Sequence, residues 1–521
     1  AGLYPNGELQ DVAVGRFPVT YAEEAQVLVD KTISYAQNAN VGAWQNTLMF
    51  MGDDGNGNLH MQDADDVAND VLTTYPAYLV KKVMWDAYTR ETSSSGNTYP
   101  EATRIIKQQQ AAGALIMDYA GHGDPTQMSH ESVLKLTDFA DFRNTNLPLW
   151  VTASCDIMPF DGLEANIGEY ALLNDKGGAV AFYGTTRTVY AQYNRHINRA
   201  FIHRVLSLVD GKPITIGEAH RLAQNDLVSG NGPTSGSDVT VNHLHYSLLG
   251  DPALALNLPM HQIVVDSING IPVAGAATLP MLKAGSIARM AGHIEGADDF
   301  RGVITATVRD SKETVTCRLN DTGKDGAEKA FEYKDRTKTL YQGTDSVRGG
   351  KFTFSFAVPL DINYSNQSGL VNLYAVNTAK TLSAHGSSEQ FTVGESEEQK
   401  NDSIGPSIYC YLNSPSFVDG GNVNTTPFFV AKIIDKDGIN AAGSGIGHDL
   451  QLVIDGDMSK TYVLNSNFIY DFGTYTSGST YYSIPQLEPG KHELTFRAWD
   501  IQNNSSTVKL RFNVVKALSP A

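Results

Sequence analysis

Residues 114–123 read Ala-Leu-Ile-Met-Asp-Tyr-Ala-Gly-His-Gly, and residues 147–155 read Leu-Pro-Leu-Trp-Val-Thr-Ala-Ser-Cys. Both are short, mostly apolar runs, typical of strands that are buried on both faces of a parallel sheet. His122 follows the first run and Cys155 ends the second. Ligands of open α/β sheets bind beyond the carboxyl ends of the strands. The two stretches therefore predict a histidine and a cysteine at one edge of a sheet.

The sequence around these strands alternates between helical and extended patterns from about residue 10 to residue 258. Helices are predicted over 20–39, 65–72, 103–112, 164–173, 192–208 and 214–226, and further strands over 47–51, 80–85 and 178–183. Such alternation indicates a mostly parallel sheet covered by helices. We therefore expect one α/β domain over residues 1–258.

The helical patterns stop after Pro259. Segments such as 302–308 and 351–358 alternate with turns that are rich in Gly, Asp and Asn, which is typical of β-sandwiches. A polar stretch at 393–402 reads as a linker. The sequence thus predicts two all-β, Ig-like sandwich domains, over 259–397 and 398–521.

Composition narrows the classes of function. The formal net charge is -18 over 521 residues, which argues against a nucleic-acid partner and against electrostatic docking on an anionic membrane. Three cysteines are present, too far apart for a metal-binding spacing and odd in number, so a disulfide framework is excluded. Cys317 and Cys410 are expected to be small buried hydrophobic residues. No metal site and no cofactor are predicted from these patterns.

Cys155 and His122 suit a cysteine hydrolase. Residue 155 lies 33 positions after residue 122, enough for a covering helix and the next strand. His122 would act as the base and Cys155 as the nucleophile. The backbone N–H groups of Gly123 and Cys155 would form the oxyanion site, worth about 3 kcal/mol per donor. The alternative is a glycine turn beside an inert buried cysteine.

An acid that orients the imidazole is expected among Asp63, Asp65 and Asp66, which are predicted to open a helix. The alternative is that they complement the helix dipole. The preceding stretch 53–58 resembles a calcium loop but lacks the closing glutamate, so an ordinary turn is expected, with structural calcium left open.

The substrate pocket is expected beyond the next strand end. Its candidate residues are Asp161, Arg187 and Tyr190. An acidic side chain there would favour a basic substrate residue, whereas Arg187 would receive a carboxylate. Asp161 is also suited to capping the helix that is predicted to start at residue 164.

Four ordered motifs resemble the gingipain-type cysteine peptidase family. They are Gly15-Arg16-Phe17-Pro18, the Asp118-to-Gly123 segment, the Val151-to-Asp156 segment and the Leu249-to-Leu254 segment. The resemblance covers residues 1–258 and implies a caspase-like α/β fold with Cys155 as nucleophile and His122 as its partner. It places the supporting acid at Asp65, with Asp63 competing, and a pocket aromatic at Tyr190.

Within that family the chain is most similar to the signal peptidases of type IX secretion, on segments 358–365, 435–440 and 498–500. That resemblance implies an exported enzyme on the outer face of the outer membrane. Its partners would be secreted cargo proteins with C-terminal sorting domains, other components of the secretion system and a lipopolysaccharide anchor that receives the cargo by transpeptidation. The alternatives are a secreted gingipain-like protease acting on host proteins and a catalytically silent module that binds a secretion partner.

Two departures from the family pattern affect these expectations. Most of an N-terminal subdomain that precedes the family's catalytic region is expected to be missing before Gly15. Gingipains carry an asparagine directly after the cysteine, where this chain has Asp156. Trypsin-like specificity is therefore not expected.

Overall fold

The computed structural model describes residues 9–398, 401–443 and 447–516. The chain divides into two compact units. The first contains the residues up to Pro259 together with Thr314–Tyr333, and the second contains Met260–Glu313 and the residues from Lys334 onward. The first boundary lies one residue from the one predicted by the sequence. Residues 314–333, in contrast, belong to the first unit although the sequence analysis assigned them to the second domain.

The first unit is built on a six-stranded sheet. Its helices are α1 (Ala22–Ala36), α2 (Leu59–Thr74), α3 (Pro100–Ala112), α4 (Leu136–Asp141), α5 (Ile167–Leu173), α6 (Ala191–Val205) and α7 (Ile216–Ser229). Its main strands are β1 (Thr47–Gly52), β2 (Leu79–Met84), β3 (Ile116–Ala120), β4 (Leu149–Ala153), β5 (Ala181–Thr185) and β6 (Tyr246–Leu249). The strand order is β6-β5-β4-β3-β1-β2, and only the edge strand β6 is antiparallel to its neighbour. The prediction of a mostly parallel sheet is confirmed.

Both faces of this sheet are covered by helices. Every residue of β1, β3, β4 and β5 is buried, which explains their unbroken apolar runs. Leu48 and Phe50 pack with residues of α2, α6 and α7 on one face, whereas Met49 and Met51 pack with residues of α1, α3, α4 and α5 on the other. Because successive side chains of a strand point to opposite faces, β1 contributes residues to two hydrophobic cores.

Shorter elements complete the first unit. Helical turns span Ala43–Asn46, Trp85–Ala87 and His243–His245. Two-stranded pairs join Glu91–Ser93 with Gly96–Thr98, Gln127–Met128 with Leu134–Lys135, and Leu208–Val209 with Lys212–Pro213. A further pair, Glu313–Thr316 with Glu332–Asp335, frames the 314–333 segment.

Two of the family-like motifs meet beside β6. Arg16 forms a parallel bridge to Leu249, and the N–H of Gly250 donates to the carbonyl of Arg16 at 2.8 Å. A Cβ at Gly15 would lie 2.6 Å from the Gly250 carbonyl oxygen and 2.8 Å from the Pro252 ring. The close approach of the two backbones therefore requires glycine at position 15.

The second unit is all-β apart from two helical turns, Met458–Lys460 and Asn465–Asn467, in the residues that the structure describes. Its largest sheet has the order Ile271–Pro272, His261–Ile268, Ile287–Ile294, Lys351–Ala357, Thr339–Arg348, Gly302–Arg309, Leu370–Asn377 and Ser383–Ser388. The last of these strands also pairs with His261–Ile268, so the sheet closes on itself. A three-stranded sheet joins Met281–Ala284, Thr392–Ser396 and Gln367–Ser368.

The chain ends in two further sheets. One joins Ser407–Leu412, Phe428–Ile434, Ser477–Ser483 and Ile469–Tyr470, and the other joins Asn422–Val423, Ser505–Val514, Gly490–Trp499, Gln451–Ile454 and Thr461–Val463. All-β structure after Pro259 is confirmed, and the Ig-like assignment stays a prediction. Part of the predicted linker 393–402 is strand, over Thr392–Ser396, and residues 399–400 lie outside the described residues. None of the helices described here is long and apolar enough to cross a membrane.

Candidate active site

The loops that follow β1, β3 and β4 meet at one edge of the sheet. Gly52 pairs with Ala120, and Ala120 pairs with Ala153, so the three strands end at the same level. The ladder extends one step into the loops, because the N–H of Asp53 donates to Ala120 O at 3.2 Å and that of Gly121 to Ala153 O at 3.3 Å. Since His122 and Cys155 each lie two residues beyond the paired alanines, they share this edge, as the sequence predicted.

The backbone of His122 is fixed by a buried carboxylate. Its N–H donates to Asp53 Oδ2 at 2.7 Å, and its carbonyl accepts from the Tyr119 hydroxyl at 2.7 Å. The same hydroxyl lies 3.1 Å from Asp53 Oδ2, and the N–H of Gly55 donates to Asp53 Oδ1 at 3.1 Å. Asp53 is 1% exposed, so these bonds form out of contact with water. They hold the loop after β3 against the loop after β1.

Asp53 is also paired with His60, whose Nδ1 donates to Asp53 Oδ1. Burial by itself would raise the pKa of Asp53, but the charge and hydrogen bond of His60 and the contacts with His122 lower that pKa to about 2. Burial opposes the charge of His60, yet Asp53 raises the pKa of His60 above its ordinary value. Each partner of the pair thus favours the charged form of the other.

The ring of His122 contacts an acid that the sequence did not indicate. Its Nε2 lies 2.8 Å from Oδ2 of Asp325, so the ring donates to this carboxylate. The ring of His130 stacks on it with centroids 4.4 Å apart, and His60 meets it edge-on at 4.8 Å. The His122 side chain remains 28% exposed, which leaves it accessible from solvent.

The thiol of Cys155 is half-buried and lies beside Val189. It donates to Val189 O at 3.3 Å and accepts from Val189 N–H at 3.5 Å. Burial raises its pKa, and the charge of Asp156 acts in the same direction. The resting thiol is therefore protonated at neutral pH, and it becomes a nucleophile only when a base accepts its proton. As expected, Cys317 and Cys410 are buried and unpaired.

Gly123 is required by close packing. A Cβ there would lie 2.3 Å from Ser154 Oγ and 2.6 Å from Ile157 Cδ1. The ladder bonds of this loop join Asp124 N to Gln127 O and Ser129 N to His122 O, so the N–H of Gly123 takes no part in that ladder. The assignment of Gly123 and Cys155 N–H groups to an oxyanion site stays a prediction.

The structure does not bring Asp65 or Asp63 to His122. Helix α2 begins at Leu59, six residues earlier than predicted, which places both acids inside the helix. Asp65 accepts from Lys82 Nζ on β2 at 2.6 Å, a pair with both side chains buried. Asp63 is 3.9 Å from Arg195 Nε, and burial raises its pKa to about 7 although Arg195 opposes the shift. Both acids therefore belong to the packing of α2.

The pocket candidates lie on the loops beside Cys155. Arg187 donates to both carboxylate oxygens of Asp161, at 3.0 and 2.6 Å, so each satisfies the other's charge. Tyr190 follows Val189 directly and is 66% exposed. The loops beside the thiol thus carry an exposed aromatic ring and a neutralised ion pair.

Residues 2–257 match the model of Peptidase family C25. This part of the chain belongs to that family, the gingipain family. Membership of family C25 implies a cysteine peptidase. The match ends before the 314–333 segment, so it does not include Asp325.

Two solved structures illustrate the relation of the chain to other C25-like proteins. Dimeric latent PorU from Porphyromonas gingivalis is 22% identical with a TM-score of 0.34, over 91% of this chain and 55% of that chain. The Arg-specific cysteine proteinase gingipain R (RgpB) is 18% identical with a TM-score of 0.39, over 75% of this chain and 77% of that chain. The chain thus spans 55% of the length of PorU. No curated protein sequence matches it.

One group at this C25 site has the composition of a metal site. A ligand atom from each of His122, His130 and Asp325 lies within 4.8 Å of the other two. The predicted calcium-like loop is arranged differently, because Asp53 is bonded as described above and Asp54 accepts from the Tyr99 hydroxyl at 2.6 Å. These two carboxylates hold the loop to the domain.

Sequence reasoning missed three residues of the candidate site. Asp53 lay in a stretch interpreted as a turn, and neither His60 nor Asp325 was among the predicted site residues. An acid directly after a buried strand is a signal that the sequence offered for Asp53. Asp325 gave none, because it lies 203 residues from its partner in a turn-rich segment.

Proposed function

We propose that the chain is a cysteine endopeptidase that removes C-terminal sorting signals from type IX secretion cargo and transfers the cargo to a lipopolysaccharide anchor. The observation that carries the peptidase part is the shared edge of His122 and Cys155, with His122 held by Asp53. The segments quoted above from the second half of the chain support the sorting role. The proposed location is the outer face of the outer membrane.

The reaction is proposed to run through a thioester. Cys155 Sγ gives its proton to His122 and bonds to the carbonyl carbon of the scissile peptide. The C–N bond then breaks, and the departing amine takes the proton from His122. Water or an amine next attacks the thioester, the thiolate leaves, and the attacking group's proton returns to the thiol through His122. The chemistry requires a thiol and an imidazole and no cofactor.

The choice between water and an amine decides hydrolysis or transfer. A thioester reacts readily with either nucleophile, so the same two residues serve both outcomes. An amine on a lipopolysaccharide would yield anchored cargo, and water would yield free cargo. Other components of the secretion system are proposed as partners that present the cargo and the acceptor.

The surroundings of the thiol favour this proposal over a protease specific for basic residues. The Asp161 carboxylate is paired with Arg187, so this acid of the predicted pocket is not free to bind a basic substrate residue. The aromatic side chain of Tyr190, which directly follows Val189, is exposed. A secreted gingipain-like protease would cleave generic peptides after Arg or Lys, and we expect no such cleavage.

Mass spectrometry of a cargo protein incubated with the full chain tests the proposal. We expect a cut before the sorting domain and, with an amine acceptor present, a product that carries the acceptor. Cys155→Ala and His122→Ala are expected to abolish both products. A silent binding module would instead leave cargo intact with the wild type and support secretion equally well as Cys155→Ala.

A further inference from the structure

The 314–333 segment is packed onto the strand ends that carry the active site. Its buried residues Cys317, Phe331 and Tyr333 form one apolar cluster with Met61, Ala64, Met84, Ala120 and Ala153. Ala120 is the last residue of β3 and Ala153 is the last of β4. The segment therefore contacts the two strand ends directly below His122 and Cys155.

Hydrogen bonds hold the base of this segment. The N–H groups of Leu319 and Asn320 each donate to the carboxylate of Asp86 at 2.8 Å, and that of Arg318 donates to Asp86 O at 2.9 Å. Asp86 is 2% exposed, so this anchor is shielded from water. Because Asp86 follows β2, these hydrogen bonds attach the segment to the same sheet.

The tip of the segment is also hydrogen-bonded to the first unit. The N–H of Gly57 donates to Asp325 O at 3.1 Å, and the Asn58 amide donates to Lys329 O at 2.8 Å. The N–H of Asn56 donates to Asp325 Oδ1 at 3.1 Å while Oδ2 lies 2.8 Å from His122 Nε2. Both oxygens of Asp325 are thus engaged, and the carboxylate is aimed at the ring.

We propose that Asp325 is the positioning acid of His122, contributed from outside the residues that match family C25. The inference rests on the proposed peptidase function. A carboxylate at Nε2 keeps the proton of the neutral ring on that nitrogen, which leaves Nδ1 unprotonated to accept the thiol proton. The acid also stabilises the imidazolium that forms when Cys155 ionises.

Asp325 completes a set of constraints on one histidine. Asp53 holds the backbone of His122, His130 stacks on the ring, and Asp325 fixes its rotation. The titratable groups that face the ring are Asp53, His60, His130 and Asp325. Because the Asp325 side chain is 36% exposed, solvent weakens its effect, and we expect a contribution smaller than that of a fully buried triad acid.

The test measures alkylation of Cys155 by iodoacetamide in the native full chain, with the modified cysteine identified by mass spectrometry. Asp325→Ala is expected to lower the second-order rate at pH 7 by about 10- to 100-fold, the range seen when an oriented histidine loses its outer partner. Asp325→Glu should recover part of that loss. At high pH the rates of all variants should become equal, because the thiol is then ionised whether or not His122 accepts its proton.

Lys324→Ala is the matched control, since Lys324 is the exposed neighbour in the same turn. It should alkylate like the wild type, and denaturation midpoints of all variants show whether the segment stays folded. Equal rates for Asp325→Ala and the wild type, or failure to converge at high pH, would overturn the assignment. A faster rate in Asp325→Ala would also overturn it, because the segment would then obstruct the thiol.

These outcomes are distinct from a failure of the peptidase proposal. If native wild-type Cys155 resists alkylation at every pH while the denatured chain reacts, the proposed function fails. If the wild type reacts and cleaves cargo while Asp325→Ala does so equally well, only the role of Asp325 fails. Peptide cleavage provides a second readout: loss of a positioning acid lowers kcat and leaves KM unchanged.

Discussion

Replacing Asp53 with asparagine tests how His122 is held in place. Asp53 accepts from the backbone of His122 and from Gly55, Tyr119 and His60. An asparagine retains one acceptor oxygen, and its amide places new donors against the existing ones. We expect Asp53→Asn to loosen the loop after β3, to lower the free energy of unfolding and to reduce kcat at least tenfold.

The lowered pKa of Asp53 gives the size of the expected loss in the free energy of unfolding. A decrease from 3.8 to about 2 corresponds to roughly 2–3 kcal/mol of folding stability at neutral pH. Because the side chain is 1% exposed, this value needs no discount for solvent screening. Mismatched donors in the variant add to the loss, so the expected cost is roughly 2–4 kcal/mol.

The sign of the pH dependence follows from the lowered pKa. The carboxylate contributes its full stability above the unfolded pKa of about 4, and loses it as pH falls through about 2. About half of this contribution should remain at pH 3. His60 has a raised pKa, so its share is present below about pH 6.5 and is lost as pH rises through that raised value.

The assay is urea unfolding of the wild type and Asp53→Asn at pH 3 and pH 6. The neighbour Asp54 is the matched control, because burial raises its pKa to about 7 although the bond from Tyr99 opposes the shift. Asp54→Asn should stabilise the fold at pH 6, by about 1–3 kcal/mol, and have little effect at pH 3. If Asp53→Asn unfolds like the wild type at pH 6, or differs equally at both pH values, the account of His122 is refuted.

Three further substitutions separate structural from catalytic roles. Gly123→Ala places a methyl group 2.3 Å from Ser154 Oγ. The alkylation of Cys155 should therefore slow about tenfold, and the free energy of unfolding in urea should fall by about 1–3 kcal/mol. Alkylation at the wild-type rate would contradict the packing argument. Asp65→Asn removes the carboxylate charge beside buried Lys82 and should cost about 2–4 kcal/mol while kcat per folded molecule is unchanged; a lost kcat with normal stability would make Asp65 the acid after all. Burial raises the pKa of Asp118 to about 8, so the Tm of the wild type should fall as pH rises from about 4 to 8. Asp118→Asn should remove that decline. The same pH dependence of Tm in both proteins would contradict this account.

Part of the active site was predictable because its signal is local. The apolar runs before His122 and Cys155 are buried on both faces of the sheet, and a buried parallel strand must be apolar throughout. Parallel neighbours end at the same edge, so a residue that follows a strand is placed by the strand itself. Asp53 directly follows β1, so the same argument predicts that it lies at this edge.

Helix boundaries and surface charges were less predictable. Asp65 looked like a residue at a helix start, but α2 begins at Leu59, and the extra turn rotates Asp65 toward Lys82. Asp161 and Arg187 were separate pocket candidates whose pairing across 26 residues depends on two loops lying together. Spacing along the chain does not encode such pairings.

By itself, the sequence determined the α/β class of the first unit, the all-β nature of the second and the edge shared by His122 and Cys155. Those features depend on short-range periodicity, which burial imposes on each strand separately. The tertiary structure alone decided which acid meets His122. Asp325 reaches it from 203 residues away because the 314–333 segment buries Cys317 and Phe331 against the strand ends, a contact between distant parts of the chain.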